Sequence, residues 1–150
     1  MSLSIREQIV QEVITRLTGA NTPCSMAYRS RIDLLDATEL PCWDVTAESE
    51  KVSLSTDPAD HDCVVRVLTL KVRAVRPMDD DGEAALDPYY CFAVGALCDG
   101  ECNLGGLVYD ISEVGNEVVS RPDGREFVGM EMEFAVKFTT RRDDPAQKEQ

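Results

Sequence analysis

Apolar side chains recur along this chain with two different periods. From Ser4 to Leu17, the residues Ile5, Ile9, Val13 and Leu17 fall four apart, with Val10 and Ile14 beside them. That spacing makes one stripe of an α-helix. Arg6, Glu7, Gln11, Glu12 and Arg16 fill the other side. Ser4 followed by Glu7 fits a capping box, and Gly19 stands where a left-handed cap belongs. A helix this short is marginal alone in water, so the stripe must pack on something.

The second period is two. Val64 to Val75 predicts a strand with Leu68, Leu70, Val72 and Ala74 on one face and Thr69, Lys71 and Arg73 on the other. Pro77 ends it. From Phe127 to Thr139 the alternation is strongest. Val128, Met130, Met132, Phe134, Val136 and Phe138 alternate with Gly129, Glu131, Glu133, Ala135, Lys137 and Thr139. One face is buried and the other wet, as in an antiparallel sheet covered on one side.

Weaker patterns fill the remainder. Asn21 to Leu40 is mixed and partly extended around Met26-Ala27-Tyr28-Arg29, with Pro41 as a boundary. Trp43 to Ala47 predicts a short strand that can continue through Val52 to Leu54. Asp57 to Asp62 is a polar turn. Met78 to Glu83 is an acidic loop. Asp87-Pro88 opens a second helix, with Asp87 as N-cap and Pro88 at the first helical position; Tyr89, Phe92, Ala93, Ala96 and Leu97 form its stripe and Asp99-Gly100 ends it. Leu107 to Val119 predicts a strand, and Arg121 to Arg125 a turn.

The expected order is therefore α-β-β-α-β-β. The economical arrangement is an α+β fold, a mainly antiparallel four-stranded sheet with two helices packed on one face. Residues 1–140 form one expected domain, and from Arg141 the charged, aperiodic residues 141–150 form an expected flexible tail. If the two best strands are neighbours, Lys71 and Arg73 sit opposite Glu131 and Glu133, each pair contributing about 0.2–1 kcal/mol.

Composition narrows the function classes. A chain of 150 residues suits one domain. The net charge of -13 opposes direct phosphate binding, which needs clustered Lys and Arg, and opposes binding to anionic membranes. It still permits DNA as a passing cargo. No apolar run is long enough to span a bilayer. Met1 to Glu7 lacks the basic start and apolar stretch of a signal peptide, so reduced thiols are expected for cysteines 24, 42, 63, 91, 98 and 102. Their even number permits a disulfide framework, against the expected compartment.

The chemistry-bearing residues are sparse. His61, the only histidine, sits two residues from Cys63. A Cys–His pair needs hydrogen-bond contact and a third orienting group; nothing else marks a nucleophile, and a solvated histidine beside a core cysteine is the plainer reading. Cys98 and Cys102 are four apart, but a zinc site needs a second such pair, and only His61 and Cys63 could supply donors. Cys91 and Cys98 share a helix face as half-buried packing residues. Asp79-Asp80-Asp81-Gly82-Glu83 fails the calcium-loop register, because Gly82 at position six puts Pro77 at one and Pro88 at twelve. Gly105-Gly106 lacks the spacing of a phosphate loop and suits a turn into the next strand. No catalytic residues, metal ligands or cofactors are expected.

Taken in order, four segments resemble the tail-terminator proteins of long-tailed phages, the group that includes minor tail protein U of lambdoid phages. They are the helix Ile5-Arg6-Glu7-Gln8-Ile9-Val10; the extended Tyr28-Arg29-Ser30-Arg31, followed by Glu39-Leu40-Pro41; Leu104-Gly105-Gly106-Leu107-Val108 with Asp110-Ile111; and the closing strand Met132 to Thr140, with Arg141 just after. Cys42, Trp43 and the cysteine load depart from the pattern. The resemblance implies a structural, non-enzymatic virion-assembly protein. It forms a homohexameric ring that caps the tail tube, ends tube polymerisation and meets the head-side neck proteins, while DNA passes without specific binding. It implies assembly in the host cytoplasm and residence in the virion tail. Within it, Asp79, Asp80, Asp81 and Glu83 are expected to contact basic groups on tube or neck proteins, and Arg29 and Arg31 to bridge subunits. Other readings are a head-completion or neck joint protein, a small metal-binding or thiol protein, and a plain binding module.

Overall fold

Ser4 opens the first helix: its hydroxyl oxygen accepts the Glu7 backbone N–H at 3.1 Å, and α1 runs Ile5–Leu17. The computed structural model describes residues 3–30, 37–54, 62–77, 82–120 and 127–148. The strands are β1 (Ala27–Arg29), β2 (Cys42–Leu54), β3 (Cys63–Pro77), β4 (Asp110–Ser120), β5 (Phe127–Arg141) and β6 (Asp144–Lys148), with α2 (Asp87–Leu97) between β3 and β4. They form one sheet in the order β1-β2-β3-β5-β4, with β6 paired to β5. β1 runs parallel to β2. Every other pairing is antiparallel.

This corrects the expected fold. The order is α-β-β-β-α-β-β-β, and the chain is mostly β, with a curled mixed sheet of six strands and two short helices. The expected four-stranded, mainly antiparallel α+β sheet misses β1 and β6. β1 has three residues, too few to show a period. β6 is short, contains Pro145 and lies in the segment expected to be loose. Two strands also carry irregularities that periodicity does not indicate. β2 is one 13-residue strand with a register shift between Ala47 and Ser49. β4 shifts between Glu113 and Gly115. A bulge inserts one extra residue and breaks the two-residue rhythm. Gly19 does not adopt a left-handed conformation; Asn21 does, two residues later, at φ 66°.

The core lies between one face of the sheet and both helices. Ile5, Ile9, Val13 and Leu17 of α1 and Ala93 and Leu97 of α2 are buried with Leu68, Leu70, Val72, Met132, Phe134 and Val136. Arg6 donates to the Ala47 carbonyl at 2.9 Å, tying α1 to β2, and Arg16 donates to the Ala96 carbonyl at 3.2 Å, tying α1 to α2. Trp43 is the centre of this layer. It is fully buried, stacks on Phe92 at 6.1 Å and meets Tyr89 edge-on at 6.1 Å. Its indole N–H donates to the Thr22 hydroxyl at 3.2 Å. One side chain thus joins β2, α2 and the turn after α1. Gly105 and Gly106, at φ 70° and 94°, make the turn before β4 as the sequence predicts.

Truncating Trp43 removes the largest buried side chain and its hydrogen bond. Trp43→Ala is expected to lower stability by about 3–5 kcal/mol, read from the urea midpoint. A loss below about 1 kcal/mol would show that the layer closes without it.

Candidate functional site

The face of the sheet turned away from the helices holds a connected cluster of ion pairs. The alternation that sends Trp43 and Val45 into the core sends Cys42, Asp44 and Thr46 the other way. Cross-strand partners then set the rows. Asp44 faces Arg73, Arg73 faces Glu131, and Glu131 faces Glu117. In the next row Thr46 faces Lys71, Lys71 faces Glu133, and Glu133 faces Gly115. The expected neighbourhood of Lys71 and Arg73 with Glu131 and Glu133 is present.

Arg73 is the hub. It reaches Glu131 at 2.7 Å, Asp44 at 3.2 Å and the Thr46 hydroxyl at 3.0 Å. Asp44 is fully buried, although this face carries no helix. Lys71 contacts Glu48 at 2.9 Å and Glu131 at 3.2 Å. Burial pushes the Glu131 carboxyl up, but hydrogen bonds and charge from Arg73 and Lys71 outweigh it and hold it below its ordinary 4.5. Lys71 is raised, first by its hydrogen bond to Glu48 and then by Glu131. At one end of the face, Cys42, Val75 and Phe127 close a small apolar cluster against Tyr28 and Leu40. At the other side, a shallow recess of about 200 Å³ lies over Lys71, Asn116, Glu117, Glu131 and Glu133. Around these rows Asp44, Glu48, Glu117, Glu131 and Glu133 stand with Lys71 and Arg73, and Lys51 and Lys137 lie further along the same face, so its carboxylates exceed its cations only slightly.

The sequence-derived candidates do not gather here. Arg29 pairs with Glu7 of its own α1 at 2.7 Å. Arg31, His61, Asp79, Asp80 and Asp81 lie outside the described residues. Glu83 falls in the short turn Gly82–Leu86, its side chain also outside the description. Cys63 is buried at the start of β3. The Cys102 thiol donates to the Cys98 carbonyl at 3.1 Å. Burial raises the Cys98 thiol pKa, and Cys102 adds to it. Burial and the neighbouring Cys42 push the Cys24 thiol up to about 12. Raised values disfavour the thiolate that a nucleophile or a metal site needs. Among the described residues, no group of three or more His, Cys, Asp or Glu side chains is placed to hold a metal ion, and no helix is long and apolar enough to cross a membrane.

Sequence reasoning missed Asp44, Thr46 and Glu117. The alternation Trp43-Asp44-Val45-Thr46 carries a signal for the first two. Glu117 is masked by the bulge upstream of it. Comparison of the chain with protein-family models and with curated proteins finds no match.

Removing Arg73 leaves Asp44 as a buried anion with its main countercharge gone. Arg73→Leu is expected to destabilise by about 3–5 kcal/mol; a neutral result in chemical denaturation would mean water reaches Asp44. Glu131 has a second, pH-resolved signature. Its lowered pKa stabilises the fold fully above 4.5, and this contribution fades as the pH falls through the lower native value. Glu131→Gln is therefore expected to flatten the acid limb of the stability–pH curve. An unchanged acid limb would remove Glu131 from the network.

Proposed function

We propose that this chain is a structural virion-assembly protein, a subunit of a hexameric ring that caps the tail tube of a long-tailed phage. In this reading the ring stops tube polymerisation and presents a surface to the head-side neck proteins. It performs no catalysis. Its partners are its own copies, the tube protein and the neck proteins. It assembles in the host cytoplasm and remains in the virion tail. Asp79, Asp80, Asp81 and Glu83 are the proposed contacts to basic partner groups.

One observation supports this reading beyond the resemblance of segments. Among the described residues the sheet is clad in helices on one face and cross-braced by ion pairs, with no helix, on the other. A ring subunit around a channel needs a stiff wall of this kind. The chain's net charge of -13 repels a phosphate backbone, so DNA can pass without sticking. Long, cross-paired strands resist bending more than loops do, and Asp44, Arg73 and Glu131 hold three of them together.

The test is electron microscopy of the purified protein mixed with polymerising tube protein from the same genome. Tubes that stop growing and carry a ring at one end are the expected result. Tubes that grow unaltered would overturn the terminator reading; binding to portal-side proteins instead would identify a neck component.

A further inference from the structure

Two strand edges on opposite sides of the sheet have no strand partner among the described residues. On one side, β1 pairs with β2 only through Trp43, Asp44 and Val45. Ser30 and Arg6 then take the Val45 and Ala47 carbonyls. Beyond the bulge, no strand among the described residues pairs with the outer side of β2 from Ser49 to Leu54. On the other side, β4 pairs only with β5. The Cys102 carbonyl takes the Ile111 N–H at 2.8 Å, and from Ser112 to Val119 no strand among the described residues pairs with the outer side of β4. Long uncovered edges are templates for pairing, and monomeric proteins usually blunt them.

These edges also carry apolar residues in solvent. Val52 is 53% and Leu54 60% exposed on β2; Val118 is 42% exposed on β4. Cross-strand partners fix which way each side chain points. Val52 lies opposite Arg66, which lies opposite core residue Phe138, and Val118 lies opposite Met130. Both therefore point to the helix-side face. Lys51 lies opposite Val67, which lies opposite Lys137; Glu117 lies opposite Glu131. Both point to the open face. Glu117 there faces another carboxylate across the strand pair, an unfavourable neighbour. Neither Lys51 nor Glu117 is in an ion pair with another described residue.

Strand polarity matches as well. Three successive antiparallel pairings separate β2 from β4, so the two edges run in opposite directions. A second copy placed beside the first extends the sheet with its β2 antiparallel to β4. We propose that copies of this chain join in this way, the Ser49–Leu54 edge of one adding to the Ser112–Val119 edge of the next, with Val52 across from Val118. In that register Ser53 faces Glu117 and Lys51 faces Val119. Lys51 and Glu117 then become diagonal neighbours on the open face, and the cation supplies Glu117 with an opposite charge. A slip of one residue would turn Lys51 onto the helix side, so parity of the register is specified. The contact uses a different patch on each partner. Such heterologous contacts close into a ring when the rotation permits, and the curl of the sheet supplies rotation in one sense. This inference rests on the self-assembling reading above and names the strands that join its subunits.

The experiment uses the full chain with exposed Cys91 replaced by Ser, carrying either Val52→Cys or Val118→Cys, and a short bis-maleimide. Equal mixing of the two variants is expected to give a cross-linked dimer that neither variant gives alone. A chain with both cysteines is expected to give a ladder of multimers. Lys51→Glu on the Val52→Cys partner is expected to slow cross-linking about two- to fivefold, and Glu117→Lys on the other partner to restore it. Circular dichroism melts establish that each variant is folded. Cross-linking of either single variant with itself, or none in the mixture of folded proteins, would overturn the proposal. Tubes capped by a protein whose edges do not cross-link would leave the terminator reading intact and remove this interface. Cross-linking by a protein that ignores tubes would do the reverse.

Discussion

The register of β3 between β2 and β5 is the constraint on which the molecule depends. It sets Trp43 beside Ala74 on the helix side and Asp44 beside Arg73 on the open side, and it sets Arg73 beside Glu131. A slip of one residue would drive Arg73 under the helices and lift Leu70 and Val72 into water. The buried pair of Arg73 with Asp44 adds little net stability over an apolar pair of the same shape, because desolvation offsets most of its attraction. Its effect is selective. Every other register leaves a fully buried carboxylate without its partner, at several kcal/mol by the same principle. Hydrophobic burial drives the layers together, and the charged rows decide which layers are permitted.

Trp43 and Asp44 are adjacent, and this joins the two faces. The indole is gripped by Tyr89, Phe92 and Thr22, which fixes the height of β2 against the helices. Asp44 then arrives at Arg73 without further adjustment. Cys42 and Trp43 depart from the aliphatics that the family resemblance leads one to expect at these positions, and both are buried, one in each cluster. The departure therefore bears on packing on both sides of the sheet.

How much of this was legible follows from the strength of each period. α1, β3 and β5 carry many repeats of one spacing, so their boundaries and facing residues were readable. Alternation put Lys71 and Arg73, and Glu131 and Glu133, on the wet faces of their strands; that β3 and β5 are neighbours was a hypothesis the pairing bears out. The bulges in β2 and β4 were not readable, because an inserted residue looks the same as the end of a strand. β1 and β6 were not readable because each is held by its neighbour and not by its own pattern. The open face was half legible. Its cations and Glu131 sat in clear strands, but Asp44 gains its burial from long-range pairing that no local window contains. Arg29 looked available for a partner and is engaged by Glu7 across a separation that the sequence does not encode.

A sheet with two faces and two edges has four surfaces to satisfy. The helices cover one face, and ion pairs among its own side chains largely satisfy the other. The edges are different, since backbone N–H and C=O groups can be matched only by another strand or by water. Water suffices where the edge is short or charged. Here both edges are long and carry valine or leucine. The β4 edge also holds Glu117 beside Glu131, whose charge Arg73 and Lys71 already take up, and no ion pair among the described residues engages Glu117 itself. Internal satisfaction of the faces together with unmatched opposite edges is what the proposed repeat rests on. Because the demands at β2 and β4 differ in kind, a cation on one and an anion on the other, the repeat they favour is directional rather than two-fold.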